Sequence, residues 1–430
     1  MKHDTSDHLF LGKNRATGAW EFLTPEERRR HLYVVGQTGT GKTTFLKSLF
    51  MQDVMTGRGA TFIDPHGDAA SDLADAIPPH RLSDVIYFDP SDATCPLGFN
   101  PFDRVPPEHR SQAVSSLMAC FESQWSNSWG PRLSYILRHC FTALMECPPQ
   151  SNHTLLSIPR LLTDKAFRTR TLRHVKDPVC ASFWRSEFTA WDNRQRAEAV
   201  SPILNKAGAY AAHAKLRRVL GQARSSFRIS DVMDKRRLLI INLNKGALGD
   251  DGVSLIGALI VASLQHIAYR RSAIAEDQRI DHALYLDEFQ SFSSPNTFAS
   301  LFSEARKYRL SLTVGHQFLA QLDPKVFSAV TGNVGTLACF SVGTSDADML
   351  AGQYRPLNPD ELVSSGRGEC VLRLRRDGQL LNPIQLASIY ENWALGSFEN
   401  VLKQTRRRYG KDACGRDIEA RIAQQYIRPG

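Results

Sequence analysis

Residues 31–50 read HLYVVGQTGTGKTTFLKSLF. An apolar run, Leu32-Tyr33-Val34-Val35, leads into a glycine-rich turn, and a helical pattern follows from Thr43 to about Met55. A strand, the spacing G-x-x-x-x-G-K-[ST] and a helix, in that order, are what a phosphate cradle requires. The glycines let backbone N–H groups converge on phosphate oxygens, and the helix N-terminus adds the positive end of its dipole. The expected nucleotide contacts are therefore Gly36, Gln37, Thr38, Gly39, Thr40, Gly41, Lys42, Thr43 and Thr44. Lys42 is expected to reach the β- and γ-phosphates, and Thr43 to ligate Mg²⁺.

Outward from this stretch, further apolar runs stop at turn residues, as strands buried on both faces do. They are Ala60–Ile63, Val85–Phe88, Leu238–Leu243, Ala283–Leu286, Leu310–Val314 and Leu337–Val342. Helical patterns such as Val253–Arg270 and Thr297–Tyr308 separate most of them. Strand and helix in alternation predict an α/β fold with a doubly wound, mainly parallel sheet. Residues 104–230 break the rhythm and read as helices only, near 158–172, 178–188 and 195–220. Gly130-Pro131 marks one helix start, with Leu133, Ile136, Leu137, Cys140, Phe141 and Leu144 on one face. The expected organisation is a nucleotide-binding domain in two parts, 1–103 and 231–395, an all-α insert at 104–230, and a basic tail at 396–430.

The 430 residues are 42% hydrophobic and 23% charged, a globular composition that excludes a disordered or fibrous chain. No uninterrupted apolar run approaches the ~20 residues that span a bilayer. The longest, Val253–Leu264, is interrupted by Ser254, Gly257 and Ser263. The N-terminus lacks the apolar core of a signal peptide, so the expectation is a cytoplasmic chain. Eight cysteines are scattered without a C-x-x-C pair, which argues against a zinc site or a disulfide framework. The net charge of +9 is uneven: residues 151–240 carry 18 Lys/Arg against 7 Asp/Glu, and the last 30 carry 8 against 3. Such concentration suits contact with a polyanion, or else marks a solvated helical domain that is simply basic.

Leu284-Tyr285-Leu286-Asp287-Glu288 ends a buried strand in two carboxylates. Burial makes charge costly, so the pair needs a reason. Asp287 suits the Mg²⁺ shell, and Glu288 suits orienting and polarising a water for ATP hydrolysis. The alternative is a strand-end carboxylate capping the next element. Gln317 follows another apolar strand, where it either touches the γ-phosphate or caps a turn, and its neighbour His316 reads more readily as structural. Arg306 and Lys307 end the helix between those strands. They either favour its dipole or supply an arginine to a neighbouring subunit's nucleotide. Asp64-Pro65-His66-Gly67-Asp68 is either a strand-terminating turn or a water- or nucleotide-positioning one. Trp125, Trp129, Trp184 and Trp191 belong either to a core or to a base-stacking surface.

Together, VVGQTGTGKTT, FIDPHGD, LYLDEFQSF and SEARKYRLSLTVGHQFLAQL resemble the motor of conjugative type IV secretion coupling proteins of the TraG/TraD kind. These belong with HerA and FtsK in one superfamily of DNA-pumping ATPases. DPSDATCPLGFNPF and WGPRLSYILRHCFTALME extend the resemblance over about residues 31–385. It implies a RecA-like P-loop domain with an inserted all-α domain, and a hexamer that binds ATP, Mg²⁺ and DNA. It also implies that Arg306 is the trans-acting arginine and Gln317 the sensor glutamine, beside Lys42, Asp287 and Glu288. Type IV secretion or relaxosome components are the partners it implies. Members of that group usually carry N-terminal membrane helices, whereas about 30 residues precede the first motor strand here. The expectation is therefore a cytoplasmic protein, peripheral at the inner face of the membrane through a partner. Readings that share the motor are a secretion or pilus-assembly ATPase that does not grip DNA, a HerA-like repair helicase, and an ATP-gated cargo receptor with little turnover.

Overall fold

Twelve strands join in one sheet in the computed structural model, which describes residues 7–292, 295–376, 378–389, 393–410 and 415–427. In chain order they are β1 (Leu9–Asn14), β2 (Trp20–Leu23), β3 (Leu32–Val35), β4 (Gly59–Asp64), β5 (Val85–Phe88) and β6 (Leu238–Asn242). Then come β7 (His282–Leu286), β8 (Leu310–His316), β9 (Thr336–Cys339), β10 (Glu369–Arg376), β11 (Gln379–Leu380) and β12 (Ile384–Ser388). Across the sheet the order is β2-β1-β12-β10-β9-β3-β8-β7-β4-β6-β5, with β11 paired to β10. From β9 to β5 every pairing is parallel. These are the strands that the apolar runs predicted, and every residue of β3 to β9 is buried.

The other end of the sheet is an addition that the sequence reading did not contain. β10, β12, β1 and β2 extend it antiparallel from β9. Their sequences, such as ECVLRLRR and IQLAS, mix charged and amide side chains with apolar ones, because one face or one end meets solvent. The residues ahead of the first motor strand thus supply two strands of the sheet.

This sheet belongs to a unit of residues 1–88, 229–245 and 267–405. The helix Lys42–Met55 buries Phe45, Leu46, Leu49, Phe50 and Val54. Phe50 meets the rings of Phe62 and Tyr285 edge-on, each at 5.6 Å, so the helix that opens at Lys42 is anchored on β4 and β7. Beneath it, Arg28 donates through Nη1 to Asp53 Oδ1 (2.5 Å) and through Nη2 to Asp53 Oδ2 and the Tyr285 hydroxyl (2.9 Å). Tyr285 in turn donates to Asp53 (2.7 Å), which is fully buried. Removing one partner strands a buried charge. Arg28→Ala is therefore expected to destabilise the protein by about 3–5 kcal/mol, read as a shift in the urea unfolding midpoint. A double Arg28→Ala, Asp53→Ala variant is expected to lose less than the sum of the two single losses.

A second unit comprises residues 89–228, 246–266 and 406–430, and its described regular elements are all helices. The helix Pro131–Glu146 starts at Gly130-Pro131 and buries the apolar face that the sequence predicted. Trp125 and Trp184 are core residues, and the Trp125 Nε1 donates to the Tyr210 hydroxyl (3.0 Å), so neither is free to stack on a base. Two predicted helices are each split. One breaks at Asp164, whose carboxylate caps Phe167 N–H (2.9 Å), and the other at His213.

The unit's extent differs from the expected 104–230 insert. Residues 89–103 join the helices through Asn100 Nδ2, which donates to the carbonyls of Ala223 and His153 (2.9 Å each), and through Gln222 Nε2 donating to Pro96 O (2.8 Å). The C-terminal residues are also drawn differently from a separate basic tail. They form helices Phe398–Tyr409 and Gly415–Ile427, burying Ile418 and Ile422. Glu419 pairs with Arg217 and Arg218, and Arg406 pairs with Asp92 (2.9 Å). The segment Lys245–Ala273 is long and apolar enough to cross a bilayer by length and composition, and 78% of its apolar window is buried in the protein, as in a core helix. It contains the run Val253–Leu264, which the sequence sets aside because Ser254, Gly257 and Ser263 interrupt it.

Candidate active site

β8 lies between β3 and β7, all three parallel, with Val35 opposite His316 and Leu286 opposite Val314. The residues after each strand therefore emerge together at the carboxyl edge, where open α/β sheets bind ligands. Those residues are the glycine loop from Gly36, the pair Asp287-Glu288, and Gln317. Of these, Thr38, Gly39, Gly41 to Thr44, Asp287, Glu288 and Gln317 line a cleft of about 260 Å³ together with His66 and Arg367, whereas Gly36, Gln37 and Thr40 do not.

Gly41, the residue before the helix, has φ +114°, and a Cβ there would lie 3.2 Å from the Gly368 backbone. Gly368 N–H donates to Thr40 O (2.8 Å), so a distant loop clamps the cradle. Lys42 is buried and donates to Gln37 O (3.0 Å). Burial pulls its pKa below the ordinary lysine value, against the opposing pull of Glu288 and Asp287. Thr43 Oγ1 donates to Asp287 Oδ2 at 2.7 Å, joining the first and second motifs directly. Gly315 makes room for this pair, because a Cβ there would sit 2.9 Å from both Asp287 Oδ1 and Leu46 Cδ1.

Two oxygen donors side by side, Thr43 and Asp287, fit Mg²⁺, which takes one or two protein oxygens and completes its shell with phosphate and water. No group of three or more His, Cys, Asp or Glu able to hold a metal exists among the described residues, so no all-protein cage competes with that arrangement.

Burial pushes Asp287 up to about 6, helped by Glu288 and Asp64 and opposed by Thr43 and Lys42. The folded value exceeds the unfolded one, so ionisation is harder in the native state, and the penalty is complete above about pH 6 and absent below the unfolded value. Nucleotide-free Asp287→Asn protein should therefore be more stable than the parent at pH 8, on the order of 2–3 kcal/mol. That margin should shrink as the pH falls through 6 and vanish near 4. Urea melts at pH 5, 6 and 8 read it.

Glu288 is buried with φ +47°, a backbone conformation rare outside glycine and enriched at functional sites. Gln290 Nε2 donates to its Oε2 (2.6 Å) and fixes the carboxylate. Gln317 Oε1 accepts from Thr38 Oγ1 (3.1 Å), tying the residue after β8 to the loop.

His316 is fully buried, its Nδ1 3.1 Å from the Tyr33 hydroxyl, and burial together with Lys42 pushes its pKa down to about 4. It is a neutral structural residue. The Asp64–Asp68 motif resolves as a turn: the Asp64 carboxylate accepts from His66 N–H (2.8 Å) and Ala70 N–H (3.0 Å), and only His66 reaches the cleft. Arg306 sits in a 3₁₀ turn, Ala305–Tyr308, exposed and outside the cleft of its own chain. Arg367 is the residue that sequence reasoning missed. Exposed and without a side-chain partner among the described residues, it enters the cleft from the loop that clamps Thr40. Its signal was slight, an arginine between two glycines.

The fold has known counterparts. The plasmid coupling protein TrwB in complex with the GTP analogue GDPNP superposes with a TM-score of 0.63 at 15% identity, over 88% of this chain and 89% of that one. TrwB in complex with ADP and Mg²⁺ gives 0.63 at 16% identity, over 85% and 87%. VirB4 of Thermoanaerobacter pseudethanolicus gives 0.55 at 16%, over 90% and 98%. No curated protein sequence matches the chain. A family model does, over residues 22–341, from the second strand through the end of the parallel sheet. By that match the chain belongs to the family of the type IV secretion-system coupling protein DNA-binding domain.

Proposed function

We propose that the chain is a Mg²⁺-dependent ATPase that works as a hexameric ring and spends ATP on moving DNA, as in conjugative type IV secretion. The observation that carries the hydrolytic part is the 2.7 Å bond from Thr43 to Asp287, with buried Glu288 next in sequence. Loop amides and Lys42 hold the β- and γ-phosphates. Thr43 and Asp287 would hold Mg²⁺, which when bound neutralises charge on those phosphates. Glu288 orients a water and takes its proton as the water oxygen bonds to the γ-phosphorus. The bond to the bridging oxygen breaks, leaving ADP and inorganic phosphate. Gln317 contacts the γ-phosphate or that water. Arg306, exposed in the single chain, comes from a neighbouring subunit and stabilises charge in the transition state. The family's DNA-binding domain and the uneven net charge of +9 support DNA as the polymer moved. Association with the secretion channel at the inner face of the membrane, through a membrane partner, completes the proposal.

Steady-state ATP turnover with and without DNA, at two salt concentrations, tests the reading. DNA stimulation that weakens with salt is expected. Turnover indifferent to DNA assigns the chain to secretion or pilus assembly, and negligible turnover in both arms makes it a nucleotide-gated receptor.

A further inference from the structure

The helical unit contains a cavity of about 810 Å³ that the nucleotide site does not touch. Four cations line it: Arg110, Arg138, Arg173 and Lys176. None makes an ion pair or a side-chain hydrogen bond among the described residues, whereas arginines elsewhere in the unit, such as Arg160, Arg217 and Arg218, are paired. The Arg110 Nε is buried with no acceptor. His139, 5% exposed, also lines the cavity, and its Nε2 has no partner.

Two carboxylates share the wall, and both are engaged by backbone amides. Glu146 accepts from Lys176 and Asp177 N–H, and Asp177 accepts from Cys180 N–H (2.7 Å) at the start of the helix Pro178–Ser182. Folding thus leaves four cations against two carboxylates in the cavity wall, with no direct ion pair among them, an excess that an anionic ligand with several acceptor oxygens completes.

We infer that this cavity holds the phosphodiester backbone of single-stranded DNA. The inference rests on the DNA reading of the family. Phosphate matches the forked donors of three arginines. A duplex displays its phosphates on a convex, stiff cylinder and meets a concave cavity only at the rim, whereas a single strand bends and turns phosphates inward. At the rim stands Val179, 65% exposed, an apolar contact for sugar or base edge. Among the described residues no Trp, Tyr or Phe lines the cavity, so the grip is on the backbone and indifferent to sequence.

The test uses the full chain and a fluorescent thymidine oligonucleotide, with affinity followed against salt. Arg138 and Arg173 are exposed and unpaired, so Arg138→Glu, Arg173→Glu protein is expected to keep its basal ATP turnover and its melting temperature. Its affinity for the oligonucleotide should fall about tenfold or more, and the slope of log K against log salt should flatten by about 1.4, as loss of two phosphate contacts requires. A mixed-sequence oligonucleotide should lose as much. Unchanged affinity and slope in the variant, with the parent binding normally, overturns the cavity assignment alone. An equal loss of duplex binding overturns the single-strand assignment. Competition by inorganic phosphate or ATP as potent as competition by the oligonucleotide reassigns the cavity to small phosphates. Failure of the parent to bind any DNA removes the family-level reading itself.

Discussion

Glu288→Gln protein is expected to bind ATP as tightly as the parent and to hydrolyse it about 10²–10⁴-fold more slowly. Glutamine fills the same volume and leaves Lys42, Thr43 and Asp287 in place, so binding survives. What is lost, on the proposed mechanism, is the carboxylate that would receive the proton of the attacking water. The Gln290 donor at 2.6 Å and a backbone at φ +47° hold the side chain in place. The measurement pairs nucleotide affinity, from a fluorescent analogue, with single-turnover hydrolysis in a quench apparatus. An equal fall in affinity and rate would mean that the residue supports the cradle rather than the chemistry.

Arg306→Ala is expected to lower turnover by about 10³-fold or more while leaving ATP affinity intact. Within one chain Arg306 is exposed and stands outside the cleft, so the proposed role requires it to act on another copy. That makes a sharper test than the single variant. Lys42→Ala subunits carry an intact Arg306 but an empty cradle, and Arg306→Ala subunits carry the reverse. Each alone should be inactive, and a mixture should recover part of the parental turnover, because competent sites form at some junctions. An inactive mixture that still forms rings, checked by light scattering, would place the arginine's role within its own chain.

Much of the site was legible because its chemistry is written at strand ends. Gly36 to Thr44, Asp287-Glu288 and Gln317 each follow a run buried on both faces, and such runs stand out in a sequence. Strands with a wet face do not. β1, β10 and β12 carry Lys13, Arg375 and Gln385 among their apolar residues, and their register is set by partners far away in sequence. Arg367 was hidden for the same reason, since it reaches the cleft only because β9 and β10 return the chain to the phosphate loop. Local propensity also overstated helix length, as at Asp164 and His213, where a capping side chain ended one helix and began the next. Charge counting located a basic block but not its use. Arg217 and Arg218 of that block are paired with Glu419, whereas Arg173 and Lys176 are left facing a cavity.

The most direct measurement of the central claim follows a short complementary strand, annealed at one end of a single-stranded DNA track, while the protein is loaded at the other end with ATP. The parent protein should strip that strand at a rate that rises and saturates with ATP. Glu288→Gln protein, loaded to the same extent on the same DNA, should leave it in place. Stripping by both proteins at one rate would contradict the account, because DNA movement would then owe nothing to the water-driven cleavage assigned to this cleft.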